Sequence, residues 1–354
     1  MTTRAPSEKA TTSSTGTPGM GAGPRRHVLD LDDFSAAEIG ALLDSAEAMR
    51  EVMDRSIKKV PSLRGKVVVT LFLEPSTRTR VSFEQAGKML SADVINIGGA
   101  GSAVEKGESL LNTALTLQAM HADLIVIRHP HSGAPYFLAR HLRSTGVVNA
   151  GDGMHAHPTQ ALLDLMTMRR HLGSLEGARV VIVGDVLHSR VARSDAFGLA
   201  ASGASVVLCG PPTMMPLDLL RANRDGGPDG SLDAGSNPSP GRSLPNVTVE
   251  PDLDTAIAGA DAVIALRLQT ERQAAGMLPS LREYTRRWQV TEARMALAKP
   301  GALLMHPGPM NEGLEITSAL AHGPTAQIEE QVTNGVAIRM ALLYSLLTGT
   351  EERP

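Results

Sequence analysis

The chain is predicted to be an α/β protein of two domains, each a parallel sheet flanked by helices. Three observations predict it. Short β-branched runs that read as buried strands alternate with helical patterns along the chain. The 354 residues suit two domains of ordinary size. Polar clusters at Ser76, Arg128, His157, Arg267 and His306 each fall just after a predicted strand, where open parallel sheets bind their ligands.

The elements follow in order. Residues 1–26 are rich in Ser, Thr, Pro and Gly, lack periodicity and read as a disordered tail. Phe34 to Val60 carries Ile39, Leu42, Leu43, Ala46, Met49 and Met53 at helical spacing. Val67–Leu73 is a strand broken by Glu74-Pro75, and the helix after it has Val81, Ala86, Met89 and Leu90 on its expected inner face. A strand at Asp93–Ile97 leads through the glycines of 98–101 to a helix ending near Met120. Leu124–Ile127 and Val147–Asn149 are further strands, and His157-Pro158-Thr159-Gln160 opens a helix to about His171.

The pattern then repeats. Strands are predicted at Arg179–Val183, Val206–Leu208, Val247–Val249, Ala262–Leu266 and Ala302–Met305. The helices among them are a long one after Gly184-Asp185 to about Ser202, then Pro216–Arg221, Asp252–Ala258 and Thr291–Ala298. Asn223–Pro245, dense in Gly, Pro, Asp and Ser, reads as a surface loop insertion. An apolar helix, Ala326 to Leu347, closes the chain.

Composition narrows the function. Charge is nearly balanced, 34 basic against 37 acidic residues, and aromatics make up 3%. Neither favours a nucleic-acid surface. No apolar run approaches transmembrane length and no signal-peptide core is visible, so a cytoplasmic protein with no membrane contact is expected. A single cysteine, Cys209, excludes an internal disulfide and a thiolate zinc cluster; it sits in an apolar run and reads as a small core residue. Gly184-Asp185 lacks the further glycines of a dinucleotide loop, and no Walker-type sequence occurs. No metal and no cofactor is called for.

The most informative stretch is Ser76-Thr77-Arg78-Thr79-Arg80 at a strand-to-helix junction. Unpaired N–H groups and the positive end of a helix dipole make such a junction an anion site, and three hydroxyls and two guanidinium groups suit a phosphate. The competing reading is a helix N-cap followed by solvated arginines. His129 and His306 read as structural histidines, Arg272 has no assigned role, and the glycines at 98, 99 and 101 read as keeping a loop mobile.

Five separated signals bear on that choice. Phe72-Leu73-Glu74-Pro75-Ser76-Thr77-Arg78-Thr79-Arg80, Lys106-Gly107-Glu108, Ile127-Arg128-His129-Pro130, His157-Pro158-Thr159-Gln160 and His306-Pro307-Gly308-Pro309 together resemble the aspartate/ornithine carbamoyltransferase family, in the family's order. The resemblance runs from about His27 to Leu347. It implies a carbamoyl-phosphate domain at 27–157, completed by a C-terminal helix at 326–354, and an amino-acid domain at 158–325 that holds the 223–245 insertion.

The resemblance also implies roles. Ser76, Thr77, Arg78, Thr79 and Arg128 hold the phosphate. Thr79, Arg128 and His157 donate to the carbonyl oxygen. Gln160 and the backbone carbonyls of Gly308 and Pro309 take the carbamoyl NH2. Arg190, Arg267 and Gln269 clamp a dicarboxylate. Ser102 and Lys106 are implied to reach a neighbouring subunit's site, which makes a homotrimer the minimal active unit, and any regulatory subunit is a separate chain. Arg267-Leu268-Gln269 is similar to the aspartate-using branch, and the Asp-x-x-x-Ser-Met-Gly and His-Cys-Leu-Pro motifs of the ornithine branch are absent. The implied reaction is carbamoyl transfer from carbamoyl phosphate to L-aspartate, an early step of pyrimidine synthesis. Another amine acceptor such as ornithine, and a catalytically silent scaffold, remain as alternatives. Glu312 departs from the family pattern, where many relatives carry arginine.

Overall fold

The structure, a computed structural model, describes residues 25–98, 107–216, 244, 246–269, 277–278 and 280–348. Two five-stranded sheets, parallel throughout, form its framework. The first contains β1 (His27–Val28), β2 (Val67–Phe72), β3 (Asp93–Gly98), β4 (Leu124–His129) and β5 (Gly146–Asp152), in the order β1-β5-β4-β2-β3. The second contains β6 (Arg179–Val183), β7 (Ser205–Cys209), β8 (Val247–Val249), β9 (Ala262–Ala265) and β10 (Leu303–Met305), in the order β10-β9-β6-β7-β8.

The helices are α1 (Ala36–Asp54), α2 (Thr77–Met89), α3 (Leu110–Ala119), α4 (Ala134–His141), α5 (Pro158–Leu172), α6 (Arg190–Ala201), α7 (Leu253–Ile257), α8 (Leu281–Trp288), α9 (Glu292–Met295), α10 (Ser318–Ala321) and α11 (Ile328–Thr348). Their starts are written locally. Ser35 and Glu38 form a reciprocal capping box on α1, and Ser76, Ser109, Ser189, Asp252, Ser280 and Thr291 cap six others by accepting an N–H three residues on. The last helix, α11, packs on α1, α2 and α5, and one apolar core runs from Val68 of β2 through Leu162 of α5 and Leu343 of α11 to Val180 of β6. The two sheets are thereby held by shared buried surface.

Several expectations shift. Arg25 and Arg26 belong to the ordered chain, because Arg25 pairs with Asp33 and Glu38 and stacks over Phe34, while Arg26 donates to the carbonyls of Leu142 and Thr145. Helix α1 stops at Asp54, short of Val60. On α2 the inner face is Ser82, Phe83, Ala86, Gly87 and Met89, and Val81 is exposed. The helix expected over Thr291–Ala298 is the single turn α9. Elements β1, α4, α8 and α10 were not foreseen. The expected Pro216–Arg221 helix lies outside the described residues beyond Pro216; a 3-10 turn, Pro212–Met214, precedes it. The tail before residue 25, the loop at 99–106 and nearly all of the 223–245 insertion lie outside the described residues; Leu244, near the insertion's end, is buried. Cys209 is buried at the end of β7, and burial pushes its thiol up to about 12.

Candidate active site

The carboxyl ends of the strands of both sheets face a common cleft of about 760 Å3. It is lined by Ser76, Thr77, Arg78 and Thr79 after β2, Arg128 at the end of β4, His157 and Gln160 at the start of α5, Arg190 at the start of α6, Arg267 and Gln269 after β9, and Gly308 and Pro309 after β10. Ser102 and Lys106 lie outside the described residues, as does Arg272. Arg80, the second guanidinium of the Ser76–Arg80 stretch, is exposed and does not line the cleft. A helix turns by 100° per residue, so two positions after Arg78 the side chain leaves on another face.

One end of the cleft is built on the start of α2. Ser76 has extended backbone and its hydroxyl oxygen accepts the N–H of Thr79 at 3.4 Å. That bond uses the oxygen's lone pair and leaves the O–H proton to donate. The Arg78 guanidinium reaches across to the carbonyl of Pro307 at 3.3 Å. This links the first sheet's loop to the loop after β10.

Arg128 and Arg190 sit deeper and share one carboxylate that sequence reasoning did not single out. Glu74 Oε1 accepts Arg128 Nη2 at 2.6 Å and also Arg190 Nη2, while its Oε2 accepts Arg190 Nη1 at 3.1 Å. Arg128 Nη1 also donates to the carbonyl of Ala150 at 3.0 Å, and Arg190 Nη1 to that of Gly153 at 3.1 Å. Arg128 and Glu74 belong to the first sheet's ends, and Arg190 to the second's, so the triad bridges the two halves. Gly151 makes room for it: with φ at +116°, a methyl there would lie 2.8 Å from Arg128 Nη1 and 3.0 Å from Arg190 Cζ.

A third guanidinium, Arg339 of α11, is buried behind these two. It donates to Ser82 Oγ at 2.8 Å and to the Gly335 carbonyl at 2.9 Å, and lies 5.1 Å from the ring of Phe83. Burial lowers it to about 10, which leaves it charged at neutral pH. A lone arginine inside the apolar run of α11 was the available signal for it.

His157 is buried, and its pKa is pushed well below the ordinary histidine value by that burial and then by the charges of Arg128, Arg190 and Arg339. Its imidazole is therefore neutral, with one N–H to donate. Its backbone N–H donates to Ser194 Oγ at 3.0 Å.

The far side of the cleft is organised by Glu315, which is buried. It accepts the N–H of Leu268 at 2.8 Å, the N–H of Asn311 at 2.7 Å and the side-chain amide of Asn311 at 2.7 Å. Leu268 is buried between Arg267 and Gln269, whose side chains both reach the cleft. His306 is buried as well; its Nδ1 accepts the N–H of Gly308 at 2.8 Å, and its pKa is lowered by burial despite Glu315 at 3.5 Å. His129 is likewise turned to the backbone, accepting the N–H of His131 at 3.0 Å. Glu312 is exposed, 3.4 Å from His322, and does not line the cleft. Among the described residues no cluster of His, Cys, Asp and Glu could hold a metal ion.

A helix start and five arginines, Arg78, Arg128, Arg190, Arg267 and Arg339, on one cleft define a parallel α/β protein with a strongly cationic cleft at the carboxyl ends of its strands. Comparison with known proteins places it. Residues 26–170 match the model for the aspartate/ornithine carbamoyltransferase carbamoyl-P binding domain, and residues 176–346 match that for the Asp/Orn binding domain. The chain belongs to the aspartate/ornithine carbamoyltransferase family. It is 56% identical over 322 residues to the aspartate carbamoyltransferase catalytic subunit of Roseiflexus castenholzii, covering 91% of this chain and 95% of that one. It is 52% identical over 338 residues to that of Magnetococcus marinus, covering 94% and 96%. Among solved structures, the aspartate transcarbamoylase of Trypanosoma cruzi in complex with carbamoyl aspartate and phosphate superposes with a TM-score of 0.77 at 30% identity, covering 91% of this chain and 96% of that one. The ornithine carbamoyltransferase of Pyrococcus furiosus gives 0.78 at 27% identity, covering 92% and 98%.

Two expectations follow from the charges. Glu74→Ala leaves Arg128 and Arg190 facing each other with little solvent, and should cost about 3 kcal/mol of stability in urea unfolding; an unchanged midpoint would show that the bridge contributes nothing. His157 has a folded pKa below its unfolded one, so the unfolded chain binds the extra proton and stability falls as pH drops through about 6.5. His157→Asn should lose up to about 1.4 kcal/mol per pH unit less than the parent below that pH. Parallel stability–pH curves for the two proteins would contradict a buried neutral imidazole.

Proposed function

We propose that this chain transfers the carbamoyl group of carbamoyl phosphate to the amine of L-aspartate, giving N-carbamoyl-L-aspartate and phosphate, as in pyrimidine synthesis. The observation that carries the reading is the meeting, in one cleft, of the Ser76–Thr79 helix start and Arg128 with Arg267 and Gln269. The relatives named above as aspartate carbamoyltransferases support it at 52–56% identity over most of the chain.

In this reading residues 27–157 and 326–354 form the carbamoyl-phosphate half and residues 158–325 the aspartate half. Ser76, Thr77, Arg78, Thr79 and Arg128 hold the phosphate, with Arg78 nearest the bridging oxygen that gains charge. Thr79, Arg128 and the neutral N–H of His157 donate to the carbonyl oxygen. Gln160 and the carbonyls of Gly308 and Pro309 accept the carbamoyl NH2. Arg190, Arg267 and Gln269 receive the two carboxylates of aspartate, planar guanidinium groups being suited to paired bonds with them. The aspartate nitrogen attacks the carbonyl carbon, the C–N bond forms, the C–O bond to phosphate breaks, and a phosphate oxygen takes the amine proton. No covalent intermediate with the protein is needed; positioning and charge stabilisation lower the barrier. Ser102 and Lys106 complete the phosphate and aspartate sites from a neighbouring subunit of a cytoplasmic homotrimer. Any regulatory chain or pathway enzyme is a separate partner.

The Pyrococcus furiosus ornithine carbamoyltransferase superposes as well as the aspartate enzymes do, so the acceptor must be tested directly. The purified chain, given carbamoyl phosphate with L-aspartate or with L-ornithine, should release phosphate and form carbamoylated product with aspartate alone. Product with ornithine alone would overturn the acceptor reading, and no product with either would favour a silent scaffold. Arg78→Ala should lower kcat by about a hundred- to a thousandfold without unfolding the chain. Mixing Arg78→Ala with Lys106→Ala chains should restore part of the activity; none, in trimers shown to be mixed, would argue against shared sites.

A further inference from the structure

Behind Gln160 two carboxyl groups meet. Asp164 of α5 and Asp195 of α6 are both completely buried and lie within hydrogen-bonding reach of each other. Two adjacent carboxylates cannot both stay ionised in such a place. The donors around them are distributed unequally. Asp164 Oδ1 accepts Gln331 Nε2 at 2.6 Å and Gln160 Nε2 at 3.1 Å, and Oδ2 accepts Gln160 Nε2 at 3.3 Å. The guanidinium of Arg339 adds its field to Asp164. Neither oxygen of Asp195 receives a donor among the described residues. A carboxyl that only accepts is the ion of the pair, and one that receives nothing must supply a proton of its own.

We propose that Asp195 is held as the neutral acid, donates its proton to the Asp164 carboxylate, and through it fixes which end of the Gln160 amide faces the cleft. An amide has one donor end and one acceptor end. With Asp164 purely an acceptor, Gln160 turns its NH2 inward and leaves Oε1 to the cleft, which is the end a carbamoyl NH2 needs. A proton on Asp164 aimed at Gln160 would reverse the amide and set NH2 against NH2. The same carboxylate orients Gln331, whose Oε1 accepts the N–H of His306 at 3.0 Å. His306 in turn holds Gly308. One buried anion thus aligns both the amide oxygen of Gln160 and the loop that carries the Gly308 and Pro309 carbonyls. Burial raises Asp195 well above the ordinary carboxylate range with nothing to offset it, whereas at Asp164 the bonds from Gln331 and Gln160 and the charge of Arg339 work against burial and the rise is only to about 7. Asp164, Asp195 and Gln331 are positioning residues. The inference rests on the reading of Gln160 as a ligand of the carbamoyl NH2.

Two readouts on the full chain test it. Isotope-edited infrared spectra with 13C-labelled aspartate should show a protonated carboxyl at neutral pH that disappears in D195N. In kinetics, D195N keeps a donor toward Asp164 and should hold KM for carbamoyl phosphate within about threefold of the parent, whereas D195L should raise it by about tenfold. In a Q160A background D195L should add nothing further. Absence of the protonated carboxyl band would overturn the proposal, as would a D195N chain as impaired as D195L, or a D195L effect undiminished by Q160A. If Q160A alone leaves KM unchanged, the positioning role falls together with the Gln160 reading, while the infrared band still decides the proton. Should D195L not fold, D195N and the band remain decisive.

Discussion

Three buried or nearly buried guanidinium groups, those of Arg128, Arg190 and Arg339, stand around one cleft, and the rest of the site is arranged to tolerate them. Like charges in a low-dielectric pocket repel strongly, and each must find compensation before any anionic ligand arrives. Glu74 compensates the first two and Asp164 lies beside the third. Burial first, and then the same field, keeps His157 neutral. The protonation states of the cleft therefore follow from one constraint. The cationic cleft is stabilised by its own carboxylates.

The position of those carboxylates explains why the two sheets act as one body. Glu74 leaves the end of β2 and meets Arg190 at the start of α6, so the electrostatic compensation of one half is supplied by the other. Asp164 does the same between α5 and α11, through Gln331 and Arg339. Glu315 ties the loop after β9 to the loop after β10. Each link is a charged oxygen with two or more donors, the kind of buried contact that is costly to leave half made. The apolar core shared through α11 holds the halves together, while these polar links set the angle and register at which their strand ends face each other.

What could be read from the sequence is what is local. Apolar β-branched runs ending in proline, glycine or histidine mark the strands, and the rule that parallel sheets bind at their carboxyl ends brings Ser76, Arg128, His157, Arg267 and His306 together without any coordinates. Partnerships across the chain could not be read. Glu74 looked like a strand breaker, since nothing nearby announces a guanidinium 116 residues later. Asp164, Asp195 and Gln331 looked like ordinary helix residues, and only packing shows that they are buried. Arg80 misled in the opposite direction, because the motif suggests two phosphate arginines and helix geometry turns one away. Among the elements, α4 and α8 have eight residues each and β1 has two, too short for periodicity to register. Helix α4 also has Gly133 as its N-cap, which offers no side-chain cap.

These observations bear on how such a site would accelerate a reaction with no covalent step. A rigid array of donors helps only if its orientation is settled before the substrate enters, since reorganising dipoles during the reaction would return the cost. Hydroxyls and amides are the groups most able to turn the wrong way. Here the Ser76 oxygen is occupied by the Thr79 N–H, and the Gln160 amide is anchored on Asp164. The Gly308 N–H is fixed on the ring of His306, which sets the peptide plane of that loop. Each of these groups is held by a neighbouring residue of the chain rather than left to find its orientation when a ligand arrives. Under the proposed function, this fixed polarity is what the fold would supply to the reaction.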